Sequence, residues 1–278
     1  MRKTLLLVAV SAALAVTDAA AQAFPPRSQG YLFTPLVNDA RALWVNPAGL
    51  AIAREASILA EVVLSLPDTG NVRVSQWTAG FNTRGVSFGY QRDRLSGGPA
   101  NQQLRIGLAR PFRGGAAGID LGLYWSDVND RGFGAGVIYH LLPSVSTSLV
   151  FRNIGQPWVR GVKLPATGVL GLAWSAPENA LQLTGELLAQ NRISGTGGVD
   201  MSYRAGARIT TPKPIPFAAI TAINFGSDFV MDRFFLGLAI GGNRRLVFGG
   251  TFLSGSSSGL DVGSLTGVAS NRQTPIRR

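Results

Sequence analysis

From about residue 56 onward, hydrophobic and polar residues alternate along the chain with a period of two. In "AGIDLGLYW", Ile119, Leu121 and Leu123 share one face, while Asp120 and Gly122 lie on the other. The segments "QQLRIGLAR", "GFGAGVIYH", "VDMSYRAGARI" and "FFLGLAI" repeat this pattern. Because successive side chains of a β-strand point to opposite faces, the alternation predicts strands that are apolar on one face.

Turn signals such as "RPFRGG", "DVNDRG" and "SAPEN" separate these segments. They define thirteen strand candidates, which begin near residues 56, 72, 85, 102, 117, 132, 144, 167, 180, 198, 216, 232 and 244. A weaker candidate, "LDVGSLTGV", begins at Leu260. Helical periodicity is not sustained anywhere beyond the first 21 residues, so the pattern predicts an all-β fold.

Two all-β architectures fit many short strands: a soluble sandwich or barrel, and a transmembrane antiparallel β-barrel. The face opposite the apolar one carries mostly Gly, Ala, Ser and Thr, with few of the charges that a water-exposed surface carries. The segments also match the ~9–11 residues of a tilted membrane-spanning strand. The pattern favours the transmembrane barrel, with about 12–14 strands.

The composition is consistent with such a barrel. Charged residues make up only 15% of the chain, against about 25% in typical soluble domains. Glycine supplies 35 of the 278 residues, well above its usual share of about 7%. The chain has no cysteine, which leaves no disulfide framework and no thiol chemistry.

The first 21 residues have the organisation of a secretory signal peptide. Arg2 and Lys3 precede an apolar stretch from Leu5 to Val16, and the small residues 19–21 follow. Cleavage after Ala21 is the favoured interpretation. The alternative, an uncleaved anchor, has an apolar run that is short against the ~20 residues of a spanning helix.

The formal net charge of +11 comes almost entirely from arginine, since Lys3, Lys163 and Lys213 are the only lysines. The arginines are scattered among strands and turns and do not cluster on one helix. This distribution argues against a nucleic-acid partner. For an exported chain, anionic lipid headgroups are the expected counter-charge.

The sequence offers no recognisable catalytic site. His140 is the single histidine, so a His-rich metal site is ruled out, and no nucleophile elbow accompanies it. The segment "GTGG" at 195–198 has neither the lysine nor the following helix of a phosphate-binding loop. We therefore expect no catalytic residues, no metal and no cofactor, and we expect that the protein is not an enzyme.

A family resemblance rests on the stretch "DARALWVNPAGLA", residues 39–51. It resembles the N-terminal motif of the FadL outer-membrane transporter superfamily and of the related PorV/PorQ-type proteins. Further along, "NIG" at 153–155 followed by "LP" at 164–165 and a glycine-rich strand is similar to a PorV-like pattern, as is "YRAGARI" at 203–209.

The resemblance implies a barrel of fourteen strands whose N-terminal segment folds into the lumen as a hatch. The predicted organisation is a signal peptide at 1–21, a hatch at 22–55, a barrel at 56–254, and a Gly/Ser-rich final strand or C-terminal tail at 255–278. Two interpretations of the C-terminal part stay open: the last strand closes the barrel early, near Phe248–Phe252, or the tail from Ser254 extends into the periplasm. The predicted hatch or plug residues are Asn46, Pro47, Ala48, Gly49 and Leu50.

Charged residues on the predicted inward face form a candidate lumen lining. The set comprises Arg105, Asp120, Arg152, Glu186, Asp200, Arg204 and Arg208. These side chains either gate an anionic group or form ion pairs that hold a narrow barrel together, and the second interpretation is the commoner case for such charges.

The resemblance implies a protein of the outer membrane of a Gram-negative-type bacterium, in contact with outer-membrane lipid. Its expected function is to bind or pass a small hydrophobic molecule without catalysis. Two alternatives stay open: a PorV-like accessory barrel that receives exported proteins for a secretion machine, and a structural or adhesive protein. An apolar pocket beside the hatch with an opening in the wall favours transport, whereas a lumen packed by ion pairs favours the accessory role.

Overall fold

Fourteen antiparallel strands form a closed barrel in the computed structural model of the chain. The structure describes residues 28–52, 56–65, 72–94, 100–126, 128–193, 198–211, 216–241, 244–253 and 262–270. The predicted signal peptide, residues 1–21, lies outside the described residues. In the described part of the chain, no helix has both the length and the apolar character needed to cross a membrane.

The barrel strands alternate between buried positions that face inward, many of them small or polar, and exposed, mostly apolar positions that face outward. The strands are β1 Ser57–Ser65, β2 Arg73–Thr83, β3 Val86–Asp93, β4 Asn101–Phe112, β5 Gly115–Trp125, β6 Asn129–Leu142, β7 Val145–Ile154, β8 Trp158–Val159, β9 Val162–Lys163, β10 Thr167–Ser175, β11 Leu181–Asn191, β12 Val199–Thr211, β13 Phe217–Phe225, β14 Met231–Ile240, β15 Arg244–Leu253 and β16 Val262–Ser270. A short 3-10 helix, Pro177–Asn179, lies between β10 and β11. Each of the fourteen strands predicted from the sequence begins within three residues of the first residue of a barrel strand in the structure.

Consecutive barrel strands pair around the barrel, and β16 pairs with both β15 and β1. The barrel therefore does not close near Phe248–Phe252, and the segment at 262–270 is its final strand. The reason is register: Ser57 pairs with Ser270 and Ser65 with Val262, so β16 covers the whole edge of β1. Of residues 255–278, the structure describes 262–270, and these form a strand.

The two-residue strands β8 and β9 form a separate hairpin between β7 and β10. The sequence did not predict this hairpin, because two residues are too few to show alternation. It lies at the end of the barrel with the longer connections, such as residues 155–166. We call this the long-loop end. The opposite, short-turn end carries the tight turns at residues 84–85, 113–114 and 143–144. The first residue of β1 and the last residue of β16 also lie at this end.

The exterior of the barrel is apolar. Ile119 is 59% exposed and Leu108 52% exposed on neighbouring strands. Outward-facing positions all around the barrel continue this surface: Ile58, Val62, Phe81, Phe88, Phe133, Val137, Leu149, Phe151, Leu170, Leu172, Leu183, Ile209, Leu236, Leu238, Phe248 and Leu265. An exposed apolar surface of this extent is typical of a barrel that faces hydrocarbon.

The N-terminal segment fills the lumen. We call its described part, residues 28–52, the hatch. It contains two short helices, α1 Ser28–Tyr31 and α2 Ala42–Val45, and a 3-10 helix, Pro47–Ala51. Nearly all hatch side chains from Tyr31 onward are buried, and those of α2 pack with Leu59 of β1 and Val268 of β16. The hatch, rather than a layer between two sheets, thus forms the core of the molecule.

Candidate functional site

The candidate site is the hatch together with the inner wall that holds it. Asn46 caps the 3-10 helix of the hatch, and its side-chain oxygen accepts a hydrogen bond from the Ala48 amide at 3.1 Å. Pro47 occupies the first helical position, where a missing N–H costs nothing. An Asn–Pro pair at this position therefore starts the turn and holds it in place.

The Asn46 side chain also joins the hatch to the wall. Its amide nitrogen donates to the Thr34 carbonyl at 3.0 Å and to the Val137 carbonyl of β6 at 3.4 Å. On the other side of the helix, the Asn82 amide of β2 donates to the Leu50 carbonyl at 3.0 Å. All five predicted hatch residues, from Asn46 to Leu50, are buried. Their role as a plug stays a prediction.

Glycines of the inner wall leave space for this helix. A Cβ atom at Gly118 of β5 would lie 2.5 Å from the Pro47 carbonyl carbon, and one at Gly136 of β6 would collide with the Asn46 side chain. At Gly107 of β4, a Cβ atom would lie 2.6 Å from a methyl of Leu43. The high glycine content therefore serves packing inside the barrel as well as turns.

A buried ion pair holds the beginning of the hatch against the opposite wall. Arg204 of β12 and Glu186 of β11 face each other in register and form a salt bridge. The same guanidinium donates to the backbone carbonyls of Gln29 and Leu32. Glu186 accepts hydrogen bonds from the amide and the hydroxyl of Thr34, at 2.5 Å and 2.7 Å.

Two further wall arginines lie near the hatch. Arg152 of β7 donates to the Val45 carbonyl at 2.6 Å, at the end of α2, where a cation complements the helix dipole. Arg105 of β4 pairs with Asp120 of β5 at 2.8 Å, and its guanidinium lies 5.4 Å from the ring centre of Trp44. The wall cations thus bind hatch carbonyls and rings, and paired carboxylates balance two of them.

The structure brings five of the seven predicted lumen residues, Arg105, Asp120, Arg152, Glu186 and Arg204, around the hatch. Arg208 lies further along β12 and borders a small cavity beside the hatch. Asp200 is not in this group. It lies at the long-loop end of β12, where its exposed carboxylate pairs with Arg192 at 2.6 Å. Alternation placed Asp200 on the correct face but gave no information about its depth in the barrel.

A polar contact between the hatch and strands β1 and β16 was not predicted from the sequence. The Tyr31 hydroxyl donates to Glu61 at 3.3 Å and to the Thr266 hydroxyl of β16 at 3.2 Å. Burial and the neighbouring Glu61 carboxylate raise the pKa of Tyr31 above its ordinary value, so the hydroxyl stays protonated. The available signal was the single carboxylate in "SILAEVVLS", but its nearest neighbours on the inward face, Leu59 and Val63, are apolar.

Towards the long-loop end, a second group of polar side chains is buried inside the barrel. The Asp93 carboxylate accepts hydrogen bonds from Gln91 at 2.8 Å, Gln76 at 3.0 Å and Asn101 at 3.2 Å. Above it, Arg160 from the β8–β9 hairpin donates to the Asp93 carbonyl at 3.0 Å. The hairpin therefore reaches across to β3.

The cavity beside the hatch is small. A cavity between residues 31–41 of the hatch and strands β11 to β13 has a volume of about 50 Å³. Ligand pockets of proteins commonly measure ~300–1,000 Å³. This cavity has room for water-sized molecules only.

Comparison with solved structures shows which known barrels share this architecture. The chain is similar to CymD, described as a monoaromatic hydrocarbon channel, with a TM-score of 0.60 and 12% identity over 88% of this chain and 96% of that one. It is also similar to the Pseudomonas putida toluene transporter TodX, with a TM-score of 0.53 and 12% identity over 87% and 95% of the two chains. A third similar structure is a Pseudomonas aeruginosa FadL homologue, with a TM-score of 0.52 and 11% identity over 87% and 97%.

The chain has the fold of the FadL-type outer-membrane barrels. Its fourteen strands and its antiparallel closure are those of the predicted fold class. No family model matches the sequence, and no curated protein matches it either. At 11–12% identity the FadL-type likeness establishes the fold, and the function has to be argued from the lumen and the exterior.

Proposed function

We propose that the protein is an outer-membrane channel for small hydrophobic molecules, and that the hatch keeps it closed at rest. The observation that carries this proposal is a lumen filled by a segment that closely fits the wall, yet among the described residues each hydrogen bond between the two involves a side chain. Such a segment can leave its place without breaking a single strand pairing. The FadL-type fold, which CymD and TodX share, supports the same conclusion.

The contacts that hold the hatch suggest how it opens. Its beginning is fixed by Arg204 and Glu186, and the end of α2 by Arg152. Between these anchors, residues 36–39 border the 50 Å³ cavity on the side of β11 and β12. We infer that a permeating molecule widens this cavity while the wall itself stays closed.

Uptake of radiolabelled toluene tests the proposal. The chain is expressed in a Gram-negative host that lacks its own hydrocarbon channels, and its presence in the outer membrane is checked by fractionation. We expect saturable uptake above that of cells with the empty vector. Uptake equal to the vector control, with the folded protein present in the outer membrane, would overturn the channel assignment.

A paired variant connects the uptake to the hatch. Arg152→Gln removes the guanidinium that donates to the Val45 carbonyl and so weakens the attachment of the hatch. We therefore expect the variant to show higher ion conductance in planar bilayers than wild-type protein. Arg131→Gln serves as the matched control, because Arg131 is exposed at the beginning of β6. Equal conductance of the two variants would contradict the hatch mechanism.

One observation favours a second candidate function, an accessory barrel that receives exported proteins. The pairs Arg105–Asp120 and Arg204–Glu186 pack the lumen, as expected for a barrel that passes nothing. Deletion of the gene in its own host separates the two candidates. Loss of exported proteins from the cell surface with unchanged toluene uptake supports the accessory role, and the reverse result supports the channel.

A further inference from the structure

The exterior of the barrel carries a groove across strands β4 to β7. Its floor is formed by the small residues Ala117, Gly118, Ala135 and Gly136, and its volume is about 570 Å³. We call it the outer groove. It is bordered by Leu108, Ala109, Arg110, Ile119, Val137, Leu149 and Phe151. Apart from Arg110, every residue in this set is apolar.

The floor of the outer groove lies directly behind the hatch. Gly118 pairs with Gly136 across β5 and β6, and their inner sides face Pro47 and Asn46. On the outer side, the neighbouring positions in the two strands are Ala117 and Ala135, whose side chains end at the methyl group. Since neither side carries a large side chain, the wall is thin here and its outer surface is concave.

The position of the groove determines what chemistry can fill it. Ile119, Leu108 and Phe151 are about half exposed on its borders, within the apolar exterior of the barrel. In a membrane, hydrocarbon chains are the molecules that reach this depth. The groove is shallow and open, with a volume of about 570 Å³, so a flexible chain can lie along it.

A positive charge lies where the groove reaches the short-turn end. Arg110 is exposed at the end of β4 and forms no ion pair with any described residue. The Ala109 amide donates to the Gly85 carbonyl at 2.7 Å, which places the turn containing Arg84 beside it. Arg113 lies in the next turn and is also exposed. The turns at 83–86, 112–115 and 141–145 contain no acidic residue.

We propose that the outer groove binds an anionic phospholipid, with an acyl chain on its alanine and glycine floor and the phosphate on Arg110. Arg84 and Arg113 surround the same headgroup. Guanidinium groups bind phosphate through two parallel hydrogen bonds, which makes arginine the suitable cation at this position. Because short turns face the periplasm in bacterial barrels, the lipid belongs to the periplasmic leaflet.

This proposal rests on the outer-membrane location in the proposed function, but not on transport. Native mass spectrometry of the purified full chain in detergent tests it, with phosphatidylglycerol and phosphatidylcholine of identical acyl chains as probes. We expect wild-type protein to retain phosphatidylglycerol preferentially. Arg110→Gln is expected to lower that retention roughly tenfold, the effect of losing a charged hydrogen bond.

The apolar half of the site is tested by filling the groove. Ala117→Leu and Ala135→Leu each place a larger side chain on the floor, and we expect either variant to lose both lipids. Ala205→Leu is the matched control, since Ala205 faces outward on β12 away from the groove. Arg131→Gln is the control for charge. Heat-dependent mobility in gels shows which variants have folded. If one of the two groove variants does not fold, the other still tests the site.

Three results would overturn the proposal. They are equal retention of the two phospholipids by wild-type protein, unchanged retention in folded Arg110→Gln, and displacement of phosphatidylglycerol by an equal concentration of oleate. The last would assign the site to a free fatty acid. Toluene uptake is measured with the same proteins. No preference for phosphatidylglycerol in wild-type protein that still takes up toluene refutes only this inference, whereas preferential lipid binding without toluene uptake refutes only the channel.

Discussion

The two ends of the hatch are held against the barrel by different forces. Around the 3-10 helix, the contact is one of shape: Gly118 and Gly136 lack side chains where Pro47 and Asn46 approach. Around residues 28–34, the contact is electrostatic, through Arg204 and Glu186. A larger side chain disrupts the close fit at the 3-10 helix. Removal of one partner of the ion pair instead leaves the other charge buried and uncompensated. The comparison shows how the hatch can fit the barrel closely at its 3-10 helix while residues 28–34 depend on a single ion pair.

The largest effect is expected from breaking the electrostatic end. Glu186→Gln leaves the Arg204 guanidinium buried without its carboxylate, at a cost of about 3–5 kcal/mol in the free energy of unfolding. Urea unfolding in lipid vesicles measures this change. The double variant Glu186→Leu with Arg204→Met removes both charges and is expected to lose less than Glu186→Gln alone. A loss below 1 kcal/mol in Glu186→Gln would show that the pair does not hold the hatch.

The next effect comes from the shape end. Gly118→Ala places a methyl group against the Pro47 backbone, where neither side can rotate away, and we expect a loss of about 1–3 kcal/mol in the free energy of unfolding. Gly185→Ala is the matched control, because nothing lies within 4 Å of its added methyl group. This control is expected to be neutral or to stabilise by about 0.5 kcal/mol, as glycine weakens strands. Equal losses in both variants would contradict the close fit.

A smaller effect is expected at the start of the 3-10 helix. Asn46→Ala removes the cap on the Ala48 amide and two bonds to carbonyls, at a cost of about 1–2 kcal/mol. Asn82→Ala removes one bond to the same helix, at Leu50, and is expected to cost about half as much. Urea unfolding of the two variants tests this order, and the reverse order would show that Asn46 acts only as a local turn residue.

The smallest effect is expected outside the hatch. Asp200→Asn breaks the exposed pair with Arg192, whose side chains are 58% and 53% exposed. Such pairs contribute about 0.2–1 kcal/mol and weaken in salt. Unfolding at two salt concentrations measures this contribution, and a loss comparable to that of Glu186→Gln would mean that Asp200 belongs to the lumen after all.

The strand pattern was the part of the fold that could be predicted closely. Alternation marks each strand, because one side of every strand faces hydrocarbon and selects apolar residues there. The same alternation placed Arg105, Asp120, Glu186 and Arg204 on the inward face. It failed at the β8–β9 hairpin, which is too short to show a period, and at Asp200, because periodicity carries no information on depth.

The contacts of the hatch could be predicted only in outline. "NPAGL" indicated a turn, and the resemblance suggested where that turn lies. The contacts of Glu61 with Tyr31 and of Asn82 with Leu50 were not predicted. Glu61 lies between the apolar residues Leu59 and Val63 on the inward face of β1, and Asn82 is the second-last residue of β2, next to a turn. Each binds the hatch because barrel closure brings β1, β2 and β16 around it. Contacts between distant parts of the chain leave no local signal.

The sequence by itself determined the strands, the face that each side chain takes and the turn chemistry of Asn46 and Pro47. These features follow from steric and hydrophobic preferences of residues next to one another in the chain. Only the tertiary structure decided that β16 closes the barrel, that wall glycines make room for the hatch, and that Arg152 meets Val45. Those contacts depend on register and on the curvature of a closed sheet, which fix depth and distance across a lumen that no local pattern can measure.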